Sequence, residues 1–265
     1  MTSDAPSGPA IAAVAIASAA AHSLLDQIPS AAIGRFLSSC GALKWDGFDA
    51  RMWIHSAVMG LLAAYSFMLD MLTADIAEPE RSFRCLPPAS TLTWILPAAE
   101  MGYALHDLRD ALTIGHPSFI AHGAFVGGFL LLLFVLGVAH HVTVALAVHI
   151  SSIFLNLRRV DFGARANTAV DVAFALSFLA LRVLFLPLLW AVFLHRGYSA
   201  PPDTLGACMH GGRVLHLAAG GGIVIHGLNG YWGWQIVRKL RTRWREADGI
   251  GKHSAEGHYH KSRQS

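Results

Sequence analysis

The stretch TAVDVAFALSFLALRVLFLPLLWAVFL, residues 168–194, decides the fold class of this chain. Its charged side chains are Asp171 and Arg182, and nearly all the others are apolar. One crossing of a bilayer by an α-helix takes about 20 predominantly apolar residues. A run of this length and composition therefore predicts a helix that crosses a membrane.

The composition of the whole chain agrees with that prediction. Of its 265 residues, 54% are hydrophobic and only 14% are charged. Soluble domains are roughly 25% charged, so this chain has too few charges to cover a soluble globule. We therefore predict an all-α fold, namely a polytopic membrane helix bundle of about seven transmembrane helices.

Apolar stretches separated by polar or proline-containing breaks give the predicted spans, which are 10–28, 52–74, 91–113, 118–138, 140–157, 168–194 and 211–237. His140 and His141 mark the predicted bend between the fourth and fifth spans. The first span is rich in alanine, and a cleaved signal peptide is the alternative. Because Asp4 precedes it and no lysine or arginine does, we favour a span.

The distribution of basic residues predicts the orientation of the bundle, because cytosolic loops are enriched in lysine and arginine. The predicted inner loops contain Arg35, Lys44, Arg51, Arg158, Arg159 and Arg165. We predict an outer N-terminus over 1–9, one transmembrane domain over 10–240 and a basic, histidine-containing cytosolic tail over 241–265. The basic run 238–245 fits anchoring to the inner leaflet, so no nucleic-acid partner is expected.

The three cysteines fall in predicted loops. Cys85 and Cys208 lie in loops assigned to the outer face, where a disulfide is chemically allowed, and Cys40 lies on the cytosolic side. A Cys85–Cys208 disulfide is therefore a hypothesis, with two free thiols as the alternative.

The third span carries a stripe of polar residues. Glu100, Tyr103, Asp107 and Asp110 follow i, i+3, i+7, i+10 spacing, with His106 beside them. Ionisable groups are costly inside a membrane and usually face a cavity or a partner. The stripe is either a functional site or an interhelical polar network whose end reaches the interface.

Arg182 lies in the middle of the sixth span, and we expect it to have an acidic partner. Asp171 lies three turns away on the same helix face, so either residue is a candidate to pair with the stripe of the third span.

Histidine is abundant in or near the spans, at positions 22, 55, 106, 122, 140, 141, 149, 216 and 226. Such a set, with an aspartate, is able to ligate zinc and would support hydrolase chemistry. No pair has the i, i+4 spacing of a helical zinc motif, and single intramembrane histidines more often bond to neighbouring helices. We therefore predict no metal site and no cofactor.

Five segments in order resemble the TLC domain family, which includes TRAM, ceramide synthase and TLCD-type membrane proteins. GYALHDLRD at 102–110 is similar to the family's GYFLYDLLD, and HISSIFLNLR at 149–158 to its E-x-S-T-P-F-L-N-x-R. The remaining three are HPSFIAH at 116–122, the F-x-x-x-R-x-x-x-x-P pattern at 178–187 and LNGYW at 228–232. The resemblance covers about residues 50–240.

The resemblance implies a protein that binds, senses or handles membrane lipids. The family's histidine pair is reduced here to His122 followed by Gly123, and His149 replaces an acidic residue, which favours the non-synthase, TLCD-like branch. The alternatives are a degenerate N-acyltransferase acting on a sphingoid base, a His/Asp metal hydrolase, or a cargo or translocation accessory protein. Whether the protein is an enzyme stays open, with binding favoured over acyl transfer.

The polar stripe and the matching segments together predict a lipid cavity. Its candidate residues are Glu100, Tyr103, His106, Asp107, Asp110, His122, His149, Asn156 and Arg182. Expected ligands are membrane lipids, with sphingolipids and fatty acyl chains as candidates. The terminal KSRQS at 261–265 resembles an endoplasmic reticulum retrieval signal, so we expect that membrane or another endomembrane, with the plasma membrane as the alternative.

Overall fold

The computed structural model describes residues 8–25, 27–44, 49–73, 91–115, 117–200, 209 and 212–261. These residues are about 89% helical and contain no strand, which confirms the predicted fold class. The α-helices are α1 (Gly8–Leu25), α2 (Ser30–Ser39), α3 (Ala50–Thr73), α4 (Leu92–Ile114), α5 (Pro117–Val135), α6 (His149–Leu157), α7 (Ala164–Phe178), α8 (Leu186–Ser199) and α9 (Arg213–Lys261). A 3-10 helix, Ala139–Val148, precedes α6, and a π-helix, Leu179–Phe185, joins α7 to α8.

Four helical segments are long and apolar enough to cross a membrane, namely Gly8–Leu25, Ala50–Leu69, Ala139–Leu157 and Ala164–Ser199. The apolar part of α5, Phe119–Val135, is shorter. The count of seven spans thus stays a prediction. Helix α4 coincides with the predicted third span. Its charged residues, Glu100, Asp107, Arg109 and Asp110, make it too polar to count among the apolar spans.

The segment that decided the fold class forms one continuous helix with a widened turn in its middle. The π-helix Leu179–Phe185 ends two residues before Pro187. Proline has no N–H to donate, and its ring clashes with the carbonyl four residues earlier in a regular helix. The wider turn relieves this clash and places Arg182 within the irregular stretch, a type of distortion that is frequent at functional sites.

The chain bends between α5 and α6 where the sequence indicated. Helix α5 ends at Val135, and Gly137 has φ +73°, a left-handed conformation that favours glycine. The 3-10 helix then begins at Ala139, directly before the histidine pair at 140 and 141. The fourth and fifth predicted spans are therefore separate elements.

Two of the predicted inner loops touch each other. The N–H of Leu43 donates to the carbonyl of Asp161 at 2.6 Å, and the N–H of Asp161 donates to the carbonyl of Lys44 at 2.6 Å. Hydrogen bonds from the Gly163 N–H and from the Asn167 amide hold the pKa of Asp161 below its usual range. This direct contact indicates that both loops lie on the same side of the bundle, as expected for two loops that were both predicted to be inner loops.

Helix α1 packs against α4 at backbone distance. Ser18 Oγ donates to the carbonyl of Ala99 at 2.7 Å. A Cβ atom at Gly102 would contact the carbonyl oxygen of Ala15 and lie 2.8 Å from Ser18 Cβ. Glycine at 102 is therefore what permits the close approach of these two helices.

Replacing Gly102 by valine is expected to separate α1 from α4 and to destabilise the protein. Overpacking of a well-packed interface costs about 1–3 kcal/mol. Thermal unfolding of the purified protein in detergent measures the effect. Gly128→Val is the matched control, since an added Cβ at Gly128 on α5 meets no atom within 4 Å; equal melting temperatures for the two variants would contradict the described packing.

Candidate functional site

A buried cluster of polar side chains is centred on Glu100 of α4. Its Oε2 atom lies 2.9 Å from Nε2 of His55 on α3 and 3.1 Å from Nε2 of His149 at the start of α6. The side chains of Glu100 and His55 are only 7% and 4% exposed. One carboxylate oxygen thus joins three helices through two imidazole rings.

Aromatic and imidazole rings extend this group towards α1. The Tyr103 ring stacks on the His55 ring at 3.7 Å with an interplanar angle of 11°. His22 of α1 lies edge-on to both, with centroid distances of 5.0 Å. These rings fix the orientation of the His55 imidazole, which leaves its Nε2 directed at Glu100.

A second network lies at the end of α4. Arg51 Nη1 donates to Asp110 Oδ2 at 2.6 Å and lies 2.9 Å from His106 Nδ1, while Arg51 Nη2 donates to Asp49 at 3.1 Å. Arg109 also pairs with Asp110, at 3.0 Å, but its side chain is 59% exposed against 12% for Arg51. At this end of α4, His106 and Asp110 of the polar stripe therefore join α4 to the start of α3 through Arg51.

Asn156 has a structural contact rather than a place in the cavity wall. Its Oδ1 accepts the N–H of Asp49 at 3.2 Å, and its amide nitrogen donates to the Asp49 carbonyl. The asparagine, 1% exposed, therefore holds the start of α3 against α6.

Arg182 is held by hydroxyl groups. Its Nε donates to Ser151 Oγ and its Nη2 to Ser152 Oγ, both at 2.8 Å. At hydrogen-bond distance Arg182 thus contacts two serines of α6, while Glu100 is the acidic group that interacts with it electrostatically from the same cavity wall. The other charge of this span, Asp171, pairs with Arg158 at 2.5 Å.

A cavity of about 300 Å³ opens beside Glu100. Most of its wall is apolar and comes from α5, the 3-10 helix, α8 and α9, including Phe129, Leu130, Leu133, Leu189 and Phe193. Its ionisable lining includes Glu100, His122, His149 and Arg182. The result is an apolar space that contacts a compact set of buried polar groups.

The structure divides the nine predicted site residues into two groups. Glu100, His122, His149 and Arg182 line the cavity; Tyr103, His106, Asp107, Asp110 and Asn156 do not. Asp107 is half-buried on α4. The predicted disulfide partners Cys85 and Cys208 lie outside the described residues, and Cys40 is an exposed free thiol.

Several residues of the site were missed by the sequence argument. His22 and His55 belong to the abundant histidines but had no spacing that singled them out, and Ser151 and Ser152 were read only as part of a motif. Asn229 of α9, 1% exposed, also lines the cavity. Its place in the LNGYW segment was the one available signal.

Long apolar helices around a cavity with buried charges define a polytopic helical membrane protein with an internal site. A family model for the TLC domain (TRAM/LAG1/CLN8) matches residues 48–238, and the chain belongs to this family. The resemblance found in the sequence is thereby confirmed, and the family is associated with membrane lipids. Neither the curated proteins nor the solved structures gave a match.

Replacing Arg51 by glutamine is expected to destabilise the protein by about 1–3 kcal/mol, since it leaves Asp49 without this guanidinium and Asp110 with only the exposed Arg109. Arg109→Gln is the matched control, because Arg109 pairs with the same Asp110 from an exposed position where ion pairs contribute about 0–1 kcal/mol. Thermal unfolding at matched detergent and lipid concentrations measures both. A loss in Arg109→Gln as large as that in Arg51→Gln would contradict the structural role given to Arg51.

Proposed function

We propose that this protein binds a membrane lipid, with an acyl chain in the cavity and an anionic head group beside Arg182. The observation that carries the proposal is one cavity lined both by apolar side chains and by buried ionisable ones. Ligand sites of this kind are mostly apolar, with a few polar groups that fix the orientation of the ligand. Membership of the TLC domain family supports the same class of ligand.

The charges around the cavity favour an anionic head group. The Glu100 carboxylate is already in contact with the His55 and His149 rings. Arg182 is neutralised by no carboxylate at hydrogen-bond distance among the described residues, and its Nε and Nη2 atoms donate to neutral serines. A guanidinium in this situation binds a carboxylate or phosphate strongly, because charge-assisted hydrogen bonds gain strength where water is excluded.

The apolar part of the wall suits an acyl chain. Side chains from α5, α8 and α9 form it, and the small residues Gly221 and Gly222 of α9 let Phe129 and Trp190 pack closely against that helix. An acyl chain gains about 0.8 kcal/mol for each CH₂ group that it buries. Fatty acids, phospholipids and acylated sphingolipids all supply such a chain.

This function requires binding rather than a reaction, and it fits a role in lipid homeostasis or sensing. The proposal places the protein in the endoplasmic reticulum or another endomembrane with its C-terminus in the cytosol. The basic run 238–245 supports that orientation, since basic segments next to a span bind the anionic cytosolic leaflet.

Filling the cavity is expected to remove bound lipid. Leu130 of α5 is 2% exposed and lines the cavity, whereas its neighbour Leu131 is 56% exposed on the outer surface. Leu130→Trp should therefore lose most of the lipid that co-purifies with the wild type, while Leu131→Trp should retain it. Mass spectrometry of lipid extracted from the purified variants measures the amounts. Equal lipid content in the two tryptophan variants would overturn the assignment of the cavity.

Removing the charge of Arg182 is expected to change which lipid binds. Loss of one charge-assisted hydrogen bond costs about 1.5–3 kcal/mol, so Arg182→Gln should weaken binding of an anionic acyl lipid by about tenfold or more. Binding of an uncharged lipid with the same chain should change little. Arg196→Gln, at an exposed arginine of α8, is the control. Titration of spin-labelled fatty acid against its methyl ester measures both affinities, and an equal loss for the two ligands would contradict head-group recognition by Arg182.

A further inference from the structure

We propose that His55, Glu100 and His149 form a binding site for one divalent transition-metal ion of the zinc class. The site goes beyond lipid binding and does not depend on it, since its ligands are defined by their own geometry. One nitrogen from each histidine and one oxygen of the glutamate all lie within 4.8 Å of one another.

The spacing of the three ligand atoms suits a single ion. Metal–nitrogen and metal–oxygen distances at zinc are about 2.0–2.2 Å, which places neighbouring ligand atoms of a tetrahedral site roughly 3.3 Å apart. Here Glu100 Oε2 lies 2.9 Å from His55 Nε2 and 3.1 Å from His149 Nε2. These two oxygen–nitrogen distances would need to lengthen by only a few tenths of an ångström to admit an ion, and all three ligand atoms lie within 4.8 Å of one another.

The three ligands are held by the fold. They come from α3, α4 and the first residue of α6, and α3 packs directly on both of the other helices. The Tyr103 ring stacked on His55 restrains that imidazole, which is the supporting role that neighbours of metal ligands commonly have. A set of donors fixed on three rigid helices loses little conformational entropy when an ion binds.

Burial gives a physical reason for a cation at this place. The side chains of His55, Glu100 and His149 are 4%, 7% and 13% exposed. The Glu100 carboxylate brings a negative charge into this group, and burying such a charge is costly unless it is paired or coordinates a metal. A divalent ion coordinated by the Glu100 carboxylate and the two imidazoles would compensate this negative charge directly.

The donor set indicates the kind of ion and the kind of site. Two imidazoles and one carboxylate are found in zinc sites that keep a fourth position open, and also in non-haem iron sites. Glu100 and His149 line the cavity, so the site borders the space assigned to the lipid. The absence of an i, i+4 histidine pair does not exclude this site, because its ligands come from three different helices.

Metal analysis of the purified protein tests the proposal. The protein is prepared without a polyhistidine tag, and His253, His258 and His260 of the tail are replaced by alanine in every sample. After dialysis against a limiting zinc buffer, the reference protein should retain about one equivalent of metal. Glu100→Gln and His149→Ala should retain less than about a tenth of that. The matched control is His140→Ala, because His140 has a half-buried ring against Trp94 outside the group and should retain the full amount.

Cobalt substitution keeps the test decisive if the ligand variants fold poorly. The reference protein loaded with Co²⁺ should show the visible absorption bands of a four-coordinate site, and Zn²⁺ should displace them. Its melting temperature should also rise with zinc concentration, as expected for an ion that binds only the folded state. No retained metal, no cobalt bands and no zinc-dependent stabilisation would overturn the proposal and leave the group as a hydrogen-bonded network. Metal retained equally by Glu100→Gln would overturn it as well.

Discussion

The buried carboxylate of Glu100 constrains the rest of the structure. A charge at 7% side-chain exposure inside a membrane helix must be paired, and the pairing here uses one histidine from α3 and one from α6. Because both rings meet the same carboxylate oxygen, a slip of either helix by one turn, about 5.4 Å, would break a contact. The register of three helices is therefore tied to one atom.

The position of Arg182 follows from a different constraint, the proline five residues further along the helix. The π-turn that accommodates Pro187 closes i→i+5 hydrogen bonds instead of the i→i+4 bonds of an α-helix, and so it rotates the helix face that follows. Within this turn Arg182 reaches the adjacent hydroxyls of Ser151 and Ser152, whereas Asp171 on the regular α7 turns towards Arg158. Two residues that an unbroken helix would place on one face have separate partners. The proline thus affects the cavity indirectly, through the position of Arg182, since Pro187 is not among the lining residues.

Much of the fold could be predicted from the sequence, because composition and hydropathy act over whole segments. The predicted spans begin and end within a few residues of the helices up to α8, and the bend near His140 lies where α5 gives way to the 3-10 helix. The short α2 was missed, since its ten residues are fewer than a span needs and its apolar side, with Leu37, packs against Val160 in the loop after α6.

The site was predicted in part: Glu100 was singled out because a carboxylate is costly inside a membrane. Of its two partners, His149 was predicted from its place in a family-like segment. His55 could not be selected among many histidines, because that choice depends on tertiary contacts that no spacing along the chain encodes.

Helix α4 shows why hydropathy alone undervalues a central helix. It carries the charged residues that exclude it as an apolar span, and yet its buried positions run from Thr93 to Ala111. If α4 faced lipid along these positions, its charged side chains would lie in hydrocarbon. Packing against other helices places them next to polar side chains instead. Gly102 brings α1 against one face, and the histidines of α3 and α6 cover another. Polarity and burial are therefore two consequences of one arrangement, in which Glu100 on the buried side of α4 meets the histidines of α3 and α6.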